Sequence, residues 1–219
     1  MLRFGKILKH DFYEQNQFAI EEIFPLPVLG KLLRFGSVKK WSAYFDKFIL
    51  FPIRLKKLIA IKHKEIDVVH IIDHSNALYL KTLRNYPSVK KIITCHDLIA
   101  VRSALGEFPI APKTSVTGLM LQKWIQSSLS LADFYACDSV QTKDDLNRII
   151  PHSKPISKVI HLGSEWNVSS RSVALKQKHE IPFETDKKPF FLHVGSAAWY
   201  KNRKGVFRSF INAKKSSAI

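Results

Sequence analysis

Five short apolar runs in this chain each stop at residues able to hold a charge, move a proton or make a tight backbone turn. Lys90-Lys91-Ile92-Ile93-Thr94-Cys95 stops at His96-Asp97, and Asp67-Val68-Val69-His70-Ile71-Ile72 stops at Asp73-His74-Ser75. Phe134-Tyr135-Ala136-Cys137 stops at Asp138-Ser139, Lys158-Val159-Ile160-His161-Leu162 at Gly163, and Phe190-Phe191-Leu192-His193-Val194 at Gly195-Ser196. Imidazoles grouped with carboxylates and hydroxyls can position a polar substrate and transfer protons. Short β-branched runs bounded by polar residues are the pattern of buried parallel strands. In open α/β sheets the ligand sits beyond the carboxyl ends of such strands, so five endings of this kind predict one shared cleft.

The intervening segments must supply the crossovers. Asp73 or Ser75 is placed to cap a helix from Asn76 to about Arg84, and Pro87 ends the loop before the 91–95 strand. The segment after Asp97 contains Gly106, Pro109 and Pro112 and is expected to be a long loop, either a flap over the cleft or plain surface. Leu121, Trp124, Ile125, Ser128 and Leu129 form one stripe of a helix over 116–131. Thr142-Lys143-Asp144-Asp145 reads as a capping box opening a helix through Ile149 that ends at Pro151. His193, inside its run, reads as a satisfied core histidine.

Upstream, a helix is expected from Glu14 to Phe24, broken at Pro25-Leu26-Pro27. Residues 31–64 place Trp41, Tyr44, Phe45, Phe48, Phe51, Leu55, Leu58 and Ile59 at helical spacing, with Pro52 kinking or splitting the helix. Lys40, Lys47, Arg54 and Lys57 share the opposite face. Two expectations stand for it: lysines in water on a helix that covers the sheet, or a basic, aromatic-rich surface that rests on an anionic membrane.

Composition bounds the class. At 219 residues the chain can bury a good core, and 46% hydrophobic with 24% charged residues is ordinary for a globular protein. No apolar run approaches the about 18–20 residues of a membrane span, and Met1 to His10 lacks a secretory h-region, so a cytoplasmic protein is expected, peripheral at most on the inner face of the membrane. The two cysteines, Cys95 and Cys137, both fall inside strands, which suggests core residues and no disulfide framework. The formal net charge of +17 calls for an anionic partner. No zinc-finger, helix-turn-helix or RNP signature accompanies it, so nucleic acid is not the expected one.

Taken in order, these motifs resemble a known family. Thr94-Cys95-His96-Asp97-Leu98-Ile99-Ala100-Val101-Arg102, Cys137-Asp138-Ser139-Val140-Gln141-Thr142, Val159-Ile160-His161-Leu162-Gly163 and Leu192-His193-Val194-Gly195-Ser196-Ala197-Ala198-Trp199-Tyr200-Lys201-Asn202-Arg203 follow one another as in the retaining glycosyltransferases of family 4. The resemblance covers about residue 66 to the end. It implies the two-domain GT-B fold: an α/β Rossmann-like, doubly wound parallel sheet over 1–168 on the acceptor side, a linker at 169–188, and at 189–219 the start of an incomplete second Rossmann-like domain that binds the donor. It further implies roughly another 150 residues of second domain.

The same resemblance implies roles. His96 would stand beside the reacting sugar with Asp97 as its orienting partner. His74, Ser75, Asp138, Ser139 and Gly163 would line the acceptor side, Ser139 serving equally well as a helix cap and Gly163 making a tight turn. Gly195, Ser196, Lys201 and Arg203 would hold the donor diphosphate. Ser196 stands where the family carries an arginine, a charge that Arg203 would replace. Glycosyl transfer needs fixed positive charge at the departing diphosphate, which Lys201 near glycine-rich backbone can provide. No Asp-x-Asp motif occurs, so no metal or cofactor is expected beyond the nucleotide-sugar substrate. Partners are then that donor, a saccharide or lipid-linked acceptor of envelope polysaccharide synthesis, and an anionic membrane surface. The competing expectation is a non-catalytic remnant or acceptor-binding half.

Overall fold

The computed structural model describes residues 2–14, 18–29, 42–162 and 192–216. The chain divides into two compact units, one of residues 1–107 and 114–162, the other of residues 108–113 and 163–219. The first is an α/β unit consistent with a Rossmann-like fold.

Its centre is a four-stranded sheet of β1 (Val68–Ile71), β2 (Lys90–Cys95), β3 (Phe134–Cys137) and β4 (Ser157–Val159), all parallel and ordered as in the chain. Ile93 lies between Ile71 and Tyr135, and Cys95 pairs with Cys137. β2 grows more buried toward its carboxyl end. Asp133 fixes the entry to β3 by accepting from Lys91 N–H at 2.7 Å while the Lys91 ammonium lies 3.0 Å away. The described strands show no reversal of order, so the doubly wound arrangement is not among them.

A 3-10 helix, His74–Leu83, forms the first crossover and is buried along most of its length through Ala77, Leu78, Tyr79, Leu80 and Leu83. It packs against a helix preceding β1 and against the helix Val116–Leu129. The preceding helix runs through a π turn, Asp46–Leu50, into an α segment, Phe51–Lys62. Pro52 causes the π turn: it has no N–H to give the carbonyl four residues back, and Phe51 N–H instead reaches Asp46 O, five residues back. Pro52 thus marks the place where the helix changes from the π turn to the α segment. Phe51 meets Tyr79 edge-on at 4.8 Å, and the Tyr79 hydroxyl donates to Lys47 O at 3.1 Å. We label Leu2–Glu14 as α1, Phe51–Lys62 as α2, Ile99–Ala104 as α3, Val116–Leu129 as α4, Val140–Ile149 as α5 and Arg203–Ser216 as α6.

Several expectations give way. The helix expected at 14–24 instead ends at Glu14, and 18–27 carries no regular structure. Glu21 pairs with Lys62 at 2.7 Å and Leu29 N–H reaches Asp46 Oδ1 at 3.0 Å, so this stretch runs antiparallel to the π-α2 helix. Eight extended steps and sixteen helical ones both span roughly 25 Å, which is why the two ends match. The loop expected after Asp97 holds α3, started by Asp97 Oδ1 accepting from Ile99 N–H and anchored by buried Leu98 and Val101. Gly106, at φ +80°, ends it in the left-handed conformation. Helix α5 starts earlier than the capping-box reading placed it, because its cap is Ser139, whose Oγ accepts from Thr142 N–H.

In the second unit, residues 192–194 hold no strand and leave Leu192 77% and Val194 85% exposed, while residues 190 and 191 lie outside the described residues. The 169–188 linker also falls outside them, as do Trp41 and Lys40. What is described is a 3-10 turn, Trp199–Lys201, followed by α6, with Phe108 and Trp199 rings 5.0 Å apart. No described helix is long and apolar enough to cross a membrane.

Candidate functional site

Parallel register brings the strand endings together. With Ile71 beside Ile93 and Cys95 beside Cys137, continuing each pair one step or a few places His74 and Asp138 on either side of His96. Each side chain is then fixed locally. Asp73 Oδ1 accepts from Ser75 N–H at 2.9 Å, which starts the 3-10 helix and turns His74 inward. His74 is buried, and its Nδ1 lies 3.5 Å from Asp73 Oδ1 without a hydrogen bond among the described groups. Burial lowers its pKa; the charges of Asp73, Asp97 and Asp138 work against that and His96 works with it, so five ionisable groups share one field.

His96 donates Nε2–H to Ile72 O at 3.0 Å and holds Nδ1 3.5 Å from Asp138 Oδ2, its side chain 13% exposed. Its ring meets Phe4 of α1 edge-on at 5.0 Å. Thr142 is the hub beside it: its Oγ1 lies 3.1 Å from Asp138 Oδ1, 3.2 Å from His96 O and 2.9 Å from Ser139 Oγ. His161, just beyond β4, donates Nδ1–H to Asp138 O at 3.1 Å. Below the imidazoles, Cys95 and Cys137 close the floor; the Cys95 thiol is pushed up by its bond to Cys137 and by burial, so it stays protonated.

His74, Ser75, His96, Asp97, Asp138 and Ser139 thus share the carboxyl edge of one sheet. Their expected division of labour changes in one respect. Asp97 is exposed and occupied in capping α3, so the carboxylate facing His96 is Asp138. Two contributors escaped the sequence reading. The capping-box reading of Thr142, and the readings of Lys47 as a solvated or a membrane-facing lysine, give neither a place here. Lys47 is half-buried, its Nζ 5.2 Å over the Phe48 ring, and burial lowers its pKa against the attraction of Asp73. The matching Thr94-Cys95-His96 and Ala136-Cys137-Asp138 endings were the available signal for the His96–Asp138 pair.

The donor-side residues belong to the second unit, and Gly163 lies outside the described residues. Ser196 Oγ accepts from Ala198 N–H at 3.4 Å. The Lys201 ammonium sits 5.3 Å over the Tyr200 ring and the Arg203 guanidinium 5.9 Å over Phe207. Asn202, at φ +46°, breaks the chain between the turn and α6, so both cations flank a helix start. His193 is in no strand, and its Nε2 is buried without a hydrogen bond among the described groups, unlike the satisfied core residue expected. No three described His, Cys, Asp or Glu residues converge as a metal site.

No family model matches the chain, and neither a curated protein nor a solved structure does.

Proposed function

We propose that the chain serves glycosyl transfer of the GT-B type, from a nucleotide-sugar donor to a saccharide or lipid-linked acceptor. One observation carries the reading: the residues of three separate motifs, His74-Ser75, His96 and Asp138-Ser139, stand at one carboxyl edge of a parallel sheet. Such an edge is where an α/β sheet takes a polar ligand. In this reading the His96–Asp138 pair orients a sugar hydroxyl, Ser75 and Ser139 add polar contacts, and Lys201 with Arg203 neutralises the departing diphosphate. The chemistry asks for no resident cofactor.

The described geometry also favours a second reading, an acceptor-binding half without turnover of its own. Both His96 nitrogens already face protein oxygens, and Phe4 covers the ring. The test is release of nucleoside diphosphate from a panel of nucleotide-sugars, with and without saccharide acceptors. Turnover that falls about 100-fold or more in both Lys201→Ala and His96→Ala supports transfer, since loss of one stabilising donor typically has that effect. Saccharide binding that His96→Ala abolishes, with no turnover of any donor, selects the acceptor-binding half. Neither turnover nor saccharide binding would overturn both.

A further inference from the structure

We propose that the outer face of the π-α2 helix docks on an anionic phospholipid surface, through an apolar stripe different from the face that the sequence suggested. This goes beyond the glycosyl-transfer reading and does not depend on it. Burial of Phe51, Leu55 and Ile59 takes one side of the helix into the core, and Lys47 is half-buried with its Nζ over the Phe48 ring. What remains outside includes three large apolar side chains four residues apart: Phe45, 45% exposed, Ile49, 44%, and Ile53, 51%. A π turn advances roughly 80° per residue against about 100° in an α-helix, so these three stay within about 40° of one another. The π turn that Pro52 imposes therefore straightens the stripe.

The charges complete the argument. Lys56 and Lys57 are exposed and, at about 100° per residue, project roughly 50° to either side of the stripe, with Arg54 and Ile61 exposed beyond them. Apolar residues on a line with lysines straddling it suit a bilayer interface, where the side chains enter the acyl boundary and the ammonium groups reach lipid phosphates. A second protein surface would not require flanking cations of one sign. In a chain of formal net charge +17, long-range attraction adds to this local pattern.

The 219-residue chain is sedimented with vesicles of phosphatidylglycerol and phosphatidylcholine, and with phosphatidylcholine alone, at low and high salt. Binding is expected only to the anionic vesicles and weakens with salt. Lys56→Glu with Lys57→Glu weakens it by about 25-fold or more, taking about five-fold per lysine lost. Ile49→Ser with Ile53→Ser weakens it at every salt concentration. Lys214→Glu with Lys215→Glu, an equal charge change on exposed positions of α6, has little effect. In Ile49→Trp, emission shifts to the blue on adding anionic vesicles. The variants change exposed positions, and unchanged circular dichroism shows that they fold. Equal weakening by the α6 pair would overturn the proposal in favour of diffuse charge. So would lipid binding that survives Ile49→Ser with Ile53→Ser, including the case where that variant instead dissolves a dimer in sedimentation velocity.

Discussion

Replacing Thr142 by valine keeps the shape of a buried side chain and removes the hydroxyl that ties the endings of β2 and β3 together. Thr142 is 6% exposed. Its single proton goes to Asp138 Oδ1 or to His96 O, and its oxygen takes one from Ser139. The helix cap survives, because Thr142 N–H still reaches Ser139 Oγ. What is lost is one bond to a carboxylate, worth about 1.5–3 kcal/mol, and one neutral bond of about 1 kcal/mol, partly recovered where Ser139 turns to another acceptor. A net loss of roughly 2–3 kcal/mol in the first unit is expected. Hydrogen exchange of the β2 and β3 amides reads that unit alone, and the loss would accelerate their exchange by about 30- to 150-fold where they open globally. Thr117→Val, which removes an exposed hydroxyl 3.3 Å from Ser115 Oγ, should change these amides little. A loss below about 0.5 kcal/mol in Thr142→Val, the range of ordinary surface substitutions, would refute the hub.

Acid should destabilise the first unit in a definite window. Burial holds the folded pKa of His70 and His74 below 6.5, so the unfolded state binds more protons below that value; their contribution is complete above about pH 6.5 and is lost as pH falls through the folded values. Exchange of the β2 amides measured from pH 7.5 to 5 should report falling stability, less steep in His74→Asn, and a rise on acidification would contradict the sign. The window is separate from that of Glu107, whose carboxyl is lowered first by Arg148 and titrates below 4.5. Phe4→Ala should uncover His96, so that diethyl pyrocarbonate modifies His96 several-fold faster while His70, half-buried and paired with Thr94 at 2.8 Å, is unaffected. An unchanged His96 rate would mean that α1 does not cover it.

Four of the five strands were legible because each is a short run of β-branched and aromatic residues closed by a polar break, and parallel strands buried on both faces leave that pattern little latitude. The run at 190–194 has the same composition and yet 192–194 forms no strand, since a strand needs a partner ladder that composition cannot supply. Helix α3 was missed for the opposite reason. Gly106 and two prolines made the segment look like a loop, whereas Leu98 and Val101, three apart and buried, hold one helical turn that Asp97 caps and Gly106 ends.

The site was legible in its parts and not in its pairing, and the reason lies in what adjacency along the chain can say. His96 and Asp97 are neighbours in sequence, so their side chains leave the strand end in different directions; Asp97 turns back to the helix that follows it. His96 and Asp138 are 42 positions apart and adjacent in register, which is what puts imidazole and carboxylate 3.5 Å apart. Pairing across a parallel sheet is set by register, and the only trace of register in one sequence is a repeated ending, here cysteine followed by a polar residue in both strands. Lys47 shows the same limit for helices. Its position was projected from an ideal helix of constant turn, and the π turn that Pro52 forces rotates every residue before it relative to α2. That one missing N–H accompanies both departures: a lysine half-buried, and Phe45 aligned with Ile49 and Ile53 on the outside.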